Sequence, residues 1–197
     1  LIHNHWFNKY KINSTYEKKK IEINDLKSFV EEIRDNTNIR GINVTVPFKN
    51  KIIPFLDDLT PVSKDTFSVN TITKEDKKLI GHNTDATAFH KTLEEKNTVL
   101  SSGSLIIGAG GVTPSIIWAI RKLNFKDKIY ILNRTKEKAQ EMVKKLTPSL
   151  IGGGIEVLDW GNIPNVKLVI NTTSVGLKLN EILKLNFKEY QNKKDCM

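Results

Sequence analysis

The spacing of apolar residues changes several times in the first third of the chain. Residues 21–23, Ile-Glu-Ile, alternate as the residues of a short strand do. From residue 25 to residue 33 the apolar residues instead recur at helical spacing, and Asn24 stands where a capping residue would. The pattern therefore predicts a strand followed directly by a helix.

A second strand is predicted over residues 39–46. It ends at Pro47, because proline cannot extend a central ladder. Proline is favoured in the first turn of a helix, so a short helix is predicted from Pro47 to about residue 53. Lys49 would then lie in the first turn of that helix.

The next pattern is that of a hairpin. Apolar stretches at residues 69–73 and 79–80 flank the polar residues 74–77, which predicts two strands joined by a turn. Residues 86–93 have helical character, and the charged stretch 94–97 reads as its exposed end. We place a domain boundary in this region, with a first domain over residues 1–98 and a second over residues 99–197.

The second half alternates between apolar runs and helical patterns. Strands are predicted at 104–107, 128–132 and 168–170, and helices at about 112–123 and 136–146. Strands that alternate with helices at this spacing favour a parallel sheet with crossover helices. The predicted fold class is thus α/β, with an N-terminal α/β domain followed by a Rossmann-like domain.

Composition excludes several classes of function. The net charge is +9, but the lysines are scattered in short clusters without interleaved aromatics, so we predict no nucleic-acid partner. The four histidines have no metal-binding spacing, and Cys196 is the only cysteine, so we predict neither a metal site nor an intrachain disulfide. No apolar run approaches the ~20 residues that cross a bilayer. We expect a cytoplasmic protein, as a monomer or homodimer.

A glycine-rich loop follows the first strand of the second half. Gly108, Ala109, Gly110 and Gly111 lie between an apolar strand and a helix that starts near Val112, a context typical of dinucleotide binding. The third glycine of the G-x-G-x-x-G pattern would fall at position 113, which is threonine. The loop alone is also compatible with an ordinary strand-to-helix turn.

The end of the next strand bears on the choice of cofactor. An NAD enzyme commonly places an acidic residue there, whereas this chain has Asn133, Arg134 and Thr135, with Lys138 one turn further on. A guanidinium and a hydroxyl suit the additional 2′-phosphate of NADP(H). The sequence therefore favours NADP(H) as the cofactor.

The first half carries the candidate substrate chemistry. Lys49 lies just beyond a predicted strand end with small polar neighbours, where its amine can meet a substrate hydroxyl. Asp85 offers a carboxylate on another connection. Thr45 and Asn70 are of types that also close turns, and Asp85 could be the N-cap of the helix that follows it.

Six motifs in order give the chain its resemblance to the shikimate dehydrogenase family. They are G-I-N-V-T-V-P-F-K at 41–49, S-V-N-T at 68–71, G-H-N-T-D at 81–85, G-A-G-G at 108–111, N-R-T at 133–135 and N-T-T-S-V-G at 171–176. The resemblance implies NADPH-dependent, reversible reduction of 3-dehydroshikimate to shikimate in aromatic amino-acid (chorismate) biosynthesis.

Residue roles also follow from the resemblance. It implies that Lys49 is the acid and base, that Asp85 orients Lys49 and binds the same hydroxyl region, and that Thr45 and Asn70 bind substrate hydroxyls and carboxylate. The alternatives are a quinate/shikimate dehydrogenase that uses NAD and a non-catalytic dinucleotide-binding relative.

The chain departs from the family pattern at several places. The S-x-S-P segment, the strand near nicotinamide and the final helix with its glutamine are absent, so both domains are expected to be truncated and this chain alone to be weakly active or inactive. Phe67 stands where a glycine is usual, and Ala86 and Ala88 replace glycines. These substitutions leave the proposed chemistry in place.

Overall fold

The computed structural model describes residues 2–96, 102–124 and 126–187. Within them the strands form two four-stranded sheets, which agrees with the predicted α/β class. The predicted boundary between residues 98 and 99 lies outside the described residues, so the division into domains 1–98 and 99–197 stays a prediction.

The first sheet is mixed, with the order β1-β3-β4-β2. Its strands are β1 (Gly41–Asn43), β2 (Asp58–Leu59), β3 (Thr71–Glu75) and β4 (Lys78–His82). Its helices are α1 (Ile2–Lys9), α2 (Leu26–Asp35) and α3 (Pro61–Thr66). Strands β3 and β4 pair antiparallel across a tight turn, which confirms the predicted hairpin.

The second sheet is parallel throughout, as predicted, with the order β7-β6-β5-β8. Its strands are β5 (Ser104–Ile107), β6 (Ile129–Leu132), β7 (Ile155–Leu158) and β8 (Leu168–Asn171), and its helices are α5 (Thr113–Leu123), α6 (Lys136–Lys144) and α7 (Pro148–Ile151). The strand order reverses between β5 and β8. In parallel sheets such a reversal opens a crevice at the carboxyl ends of the strands, where ligands bind.

The helix α4 (Thr84–Glu95) joins the two sheets in sequence and packs with the second one. Ala86 and Leu93 on α4 are fully buried in the same apolar cluster as Ile117 and Ile120 of α5. The start of α4 follows directly on β4 of the first sheet. One helix is therefore shared between the edge of the first sheet and the core of the second.

The predicted strand at residues 21–23 is wrong. Ile21 and Glu22 belong to no strand or helix, and Ile23–Asp25 form a 3₁₀ turn that leads into α2. Alternation shows which side chains face the core, but a strand also needs a hydrogen-bonded neighbour, and no strand of the described residues pairs with this segment. Asn24 does not cap the helix, because the 3₁₀ turn continues into α2 and Leu26 N–H bonds to the Ile23 carbonyl.

The predicted strand over residues 39–46 is shorter in the structure, where β1 covers only Gly41–Asn43. The helix predicted from Pro47 is wrong as well. The Val46–Pro47 bond is cis, residues 46–47 and 49–51 form turns, and a 3₁₀ turn follows at Ile53–Phe55. The Lys49 carbonyl accepts a bond from Val69 N–H at 2.7 Å, so the carbonyl that an α-helix would use internally bonds to another segment.

Candidate active site

A lysine and a carboxylate from distant parts of the sequence form a close ion pair. Lys49 Nζ lies 2.6 Å from Asp85 Oδ2. The Lys49 side chain is 16% exposed and that of Asp85 is 33% exposed, so the pair is shielded but open to a small molecule. The structure thus brings together the two residues that the sequence singled out for acid and base chemistry.

Each member of the pair is held through its backbone. The bond between the Lys49 carbonyl and Val69 N–H fixes the Lys49 turn beside the entry to β3. Asp85 is the second residue of α4, where the partial positive charge of a helix start favours a carboxylate. Asn83, rather than Asp85, is the N-cap, since its side chain accepts from Ala86 N–H. The alternative of Asp85 as a simple cap is therefore wrong, and its carboxylate is available to Lys49.

Asn70 holds the other oxygen of the Asp85 carboxylate. Its Nδ2 donates to Asp85 Oδ1 at 2.8 Å, and its Oδ1 accepts from Thr84 N–H at 2.9 Å. A backbone N–H can only donate, so the second bond fixes which end of the Asn70 amide faces Asp85. Asp85 is consequently held by two donors, one on each oxygen, and its orientation toward Lys49 is set.

The polar network continues away from Asn70 along the edge of the sheet. Thr71 Oγ1 donates to Asn70 Oδ1 at 3.2 Å, Asn43 Nδ2 donates to Thr71 Oγ1 at 3.1 Å, and Tyr16 OH donates to Asn43 Oδ1 at 3.1 Å. Asn43 and Thr71 are paired across β1 and β3, which places them on one face. The sequence analysis missed these residues and Thr84; the strand pairing was the signal that could have identified Asn43 and Thr71.

Thr45 lies in the exposed turn that follows β1. Its carbonyl accepts from Phe48 N–H at 2.9 Å, so its backbone closes the turn that leads to Lys49. Its exposed side chain is accessible to a ligand, but a role in substrate binding stays a prediction.

The glycine loop begins where β5 ends, at the reversal of strand order. Gly108 has φ +116°, and a Cβ there would lie 2.6 Å from Thr172 Oγ1, so only glycine fits without displacing its neighbour. Thr113, at the position of the third glycine in the dinucleotide pattern, is buried. It donates from Oγ1 to the Gly108 carbonyl at 3.2 Å and lies 3.0 Å from Thr172 Oγ1. Threonine at this position thus closes the loop onto β8 with its hydroxyl.

The rest of the loop is open and suited to an anion. A Cβ at Gly111 would meet nothing within 4 Å. The backbone hydrogen bonds of the described residues do not use the N–H groups of Ala109, Gly110, Gly111 or Val112. Unused amides at the start of a helix are the groups that bind a pyrophosphate, so these residues fit a dinucleotide.

The candidate residues for the adenosine end of a cofactor follow β6. Asn133 Nδ2 donates to the Thr135 carbonyl at 2.7 Å and shapes the turn. Arg134, Thr135 and Lys138 are exposed at this edge. Because Ile107 and Leu132 are paired across β5 and β6, the glycine loop and this turn leave the sheet at the same edge. The arrangement fits an anionic group next to the adenosine.

Two contacts join the region of the first sheet to the glycine loop and to the helix α5 that follows the loop. Ser68 Oγ donates to the Gly111 carbonyl at 3.3 Å. Asn83 Nδ2 lies 2.8 Å from both Thr66 Oγ1 on α3 and Ser115 Oγ on α5. The Lys49–Asp85 pair and the glycine loop therefore belong to one connected region.

Other kinds of site are not found in the part of the chain that the structure describes. In residues 2–96, 102–124 and 126–187 no three His, Cys, Asp or Glu side chains are grouped as metal ligands would be. Across the same ranges no helix combines the length and apolar character needed to cross a membrane.

The parallel sheet with its glycine loop, and the separate mixed sheet beside the Lys49–Asp85 ion pair, define a dinucleotide-binding α/β protein with a second α/β unit. Residues 1–72 match the family model of the shikimate dehydrogenase substrate binding domain. The NADP(+) shikimate dehydrogenase of Pelagibacter ubique is 43% identical over 194 residues, which cover 98% of this chain and 70% of that enzyme. The chain belongs to the shikimate dehydrogenase family.

Solved structures agree with this assignment. Shikimate dehydrogenase from Aquifex aeolicus superposes with a TM-score of 0.79 at 33% identity and covers 95% of this chain and 68% of its own. The Listeria monocytogenes enzyme in complex with shikimate and NAD has a TM-score of 0.75 at 28% identity, over 91% of this chain and 65% of its own. The chain thus spans about two thirds of the length of these relatives.

Proposed function

We propose that this chain carries the catalytic pair and the cofactor loop of an enzyme that interconverts 3-dehydroshikimate and shikimate with NADP(H), in chorismate biosynthesis. The observation that carries the proposal is the 2.6 Å contact between Lys49 Nζ and Asp85 Oδ2 in the same region as a dinucleotide-type glycine loop. Similar relatives are named shikimate dehydrogenase (NADP(+)), which supports this substrate and this cofactor.

Lys49 is the group that moves the proton. When a ketone is reduced, negative charge develops on its oxygen, and a nearby ammonium stabilises that charge and donates a proton to it. In the reverse direction the neutral amine accepts the proton from the alcohol. Lys49 can serve both directions because only its tip needs to shift from Asp85 to the substrate oxygen.

Asp85 and Asn70 keep that tip in place. One Asp85 carboxylate oxygen contacts Lys49 and the other accepts from Asn70. The carboxylate is therefore held in one orientation and fixes the position of the Lys49 ammonium. A preorganised donor is more effective than a mobile one, since no reorganisation is needed when charge develops. Asp85, Asn70 and the exposed Thr45 also supply the polar groups for substrate hydroxyls and carboxylate.

The cofactor residues divide into two groups. The amides of Ala109, Gly110, Gly111 and Val112 would hold the pyrophosphate, and Arg134 would meet the 2′-phosphate, with Asn133, Thr135 and Lys138 around it. When bound, NADPH supplies the hydride for the ketone carbon. The exposed Arg134 favours NADP(H), because a planar cation pairs well with phosphate and its sequence neighbours, Asn133 and Thr135, are not acidic.

An NAD-using shikimate or quinate dehydrogenase is the second candidate. The specific observation in its favour is the similar Listeria monocytogenes structure, which holds shikimate and NAD. A non-catalytic relative is less well supported, because the Lys49–Asp85 pair is intact. Steady-state rates with NADPH and NADH, against 3-dehydroshikimate and 3-dehydroquinate, distinguish these functions.

We also propose that the protein is cytoplasmic, which its single cysteine supports.

The decisive variant for the acid–base role is Lys49→Met in the enzyme at the full length of its relatives. Turnover should fall by about 100- to 10,000-fold, the usual contribution of a positioned proton donor, while the NADPH dissociation constant changes little. Lys51→Met is the matched control, since Lys51 is exposed two residues away. Near-normal turnover in Lys49→Met would refute the assignment of Lys49 as the acid and base.

Arg134→Ala tests the choice of cofactor. A charge-assisted bond to phosphate contributes about 1.5–3 kcal/mol, so NADPH affinity should fall by about 10- to 150-fold while NADH affinity changes little. Cofactor fluorescence can be titrated with this chain directly. Equal losses for both cofactors would show that Arg134 does not bind the 2′-phosphate.

A further inference from the structure

The side chain of Asn83 makes three hydrogen bonds at the junction of three helices. Its Oδ1 accepts from Ala86 N–H at 3.2 Å at the start of α4. Its Nδ2 bonds to Thr66 Oγ1 on α3 and to Ser115 Oγ on α5, each at 2.8 Å. Asn83 is 4% exposed and both hydroxyl-bearing residues are fully buried. No part of the proposed chemistry requires this cluster.

The position of Asn83 connects two parts of the site. Asp85 is two residues after Asn83, on the first turn of the helix that Asn83 caps. Ser115 is the third residue of α5, the helix that starts after the glycine loop. One amide therefore links the helix start that holds the Asp85 carboxylate to the helix start that follows the cofactor loop.

We propose that Asn83 is a positioning residue, which sets the Lys49–Asp85 pair relative to the glycine loop through its bond to Ser115. The inference deepens the proposed function and rests on it for the role of the pair. Buried polar groups in a satisfied network hold one geometry, because every alternative leaves a donor or acceptor unpaired. Loss of the Ser115 bond thus frees the first turn of α4, and with it Asp85.

The chemical reactivity of Lys49 reports this positioning without any need for turnover. Acylation requires the Lys49 amine to leave Asp85, so the labelling rate measures how often the pair opens. We would treat this chain with a limiting amine-acetylating reagent and quantify Lys49 against exposed Lys51 by mass spectrometry. Circular dichroism of each variant checks that it is folded.

Three variants separate bridging from capping. Asn83→Ser keeps a capping oxygen but is too short to reach both hydroxyls, and Ser115→Ala removes only the bond to α5. Both should raise Lys49 labelling by about 2- to 12-fold, the factor expected for the loss of one buried hydrogen bond. Ser63→Ala is the control, because Ser63 is fully buried in α3 and its hydroxyl bonds to that of nearby Thr60. Ser63→Ala should leave the ratio of Lys49 labelling to Lys51 labelling unchanged.

Unchanged Lys49 labelling in Ser115→Ala would overturn the proposal, and so would an equal rise in Ser63→Ala. If Asn83→Ser does not fold, Ser115→Ala alone decides. A parallel series with NADPH tests the proposed function separately: NADPH should reduce Lys49 labelling in the wild type and have less effect in Ser115→Ala. Absence of NADPH binding in the wild type would count against the cofactor proposal, while the cofactor-free labelling still decides the role of Asn83.

Discussion

Arg121 on α5 offers a stability prediction that can be worked out from its bonds. The residue is 5% exposed. It donates to the carbonyls of Leu150 and Gly154 at 3.0 Å each, and to the carbonyl of Asp127. Burial lowers the pKa of Arg121 below its ordinary value, and the negative charge of Asp127 partly offsets that effect. One side chain therefore holds two segments at the amino-terminal edge of the second sheet: the connection from α7 to β7 and the turn before β6.

Replacement by methionine keeps most of the volume and removes the donors. Arg121→Met leaves the buried carbonyls of Leu150 and Asp127 and the partly buried carbonyl of Gly154 without this partner, and the buried Asp127 loses the nearby positive charge. Breaking a buried charged network by removing one partner costs about 3–5 kcal/mol. With a urea dependence of about 2 kcal/mol per molar, the midpoint of unfolding should fall by about 1.5–2.5 M. That loss is a large fraction of the roughly 5–15 kcal/mol that stabilises a protein of ordinary stability.

The assay is urea unfolding of this chain, followed by circular dichroism and by tryptophan fluorescence. Arg134→Met provides the control, because Arg134 is exposed on the same domain and its loss should change stability by less than about 0.5 kcal/mol. Arg121→Lys should be intermediate, since one ammonium cannot reach three carbonyls in the fork geometry of arginine. A midpoint shift in Arg121→Met no larger than in Arg134→Met would refute the reasoning.

Three further predictions concern backbone conformation and pH. Phe67 has φ +49°, so Phe67→Gly should stabilise the chain by about 0.5–1 kcal/mol, and a lower melting temperature would contradict this. Gly108→Ala should destabilise it by about 1–3 kcal/mol and weaken NADPH binding, whereas Gly111→Ala, in open space, should change stability little. The hydrogen bond from Arg34 holds the pKa of Asp57 below its usual range, with a further contribution from a backbone N–H. The stabilising effect of the ionised Asp57 carboxylate is therefore present above about pH 4 and lost as the pH falls below that value. Asp57→Asn should flatten the loss of stability in acid, and an unchanged pH profile would exclude this role.

The second sheet was largely predictable from sequence because its strands β5, β6 and β8 are mostly buried on both faces. The run at 104–107 coincides with β5, and the helices predicted near 112–123 and 136–146 correspond to α5 and α6 with small differences at their ends. Continuous apolar strands between amphipathic helices leave few other arrangements. Strand β7 was missed, because its residues are only partly buried and include Glu156.

The first sheet was less predictable because tertiary contacts determine its local structure. Strand β2 has two residues and β1 has three, which is too short for a periodic signal. The turn at Lys49 takes its shape from the bond to Val69, a residue distant in sequence. Helices α1 and α3 were also missed.

The candidate site, like the fold, was predictable from sequence only in part. Lys49 and Asp85 were identified from motifs, and the structure brings them into contact. Asn83 and Thr84 lie in the same motif but were not assigned roles, because short polar residues before a helix usually cap it or close a turn. The partners of Asn83 on α3 and α5, and Asn70 as the partner of Thr84, are many residues away in sequence, so only the fold reveals these contacts.

The placement of α4 has a consequence for modularity. A cut at the predicted boundary near residue 98 would leave α4 on the first fragment and expose Ala86 and Leu93, which are buried against α5. A cut before Thr84 would keep that core whole but would move Asp85 to the fragment without Lys49. Neither fragment could be exchanged between relatives as an independent unit, because a working Lys49–Asp85 pair would require both halves to be folded against each other.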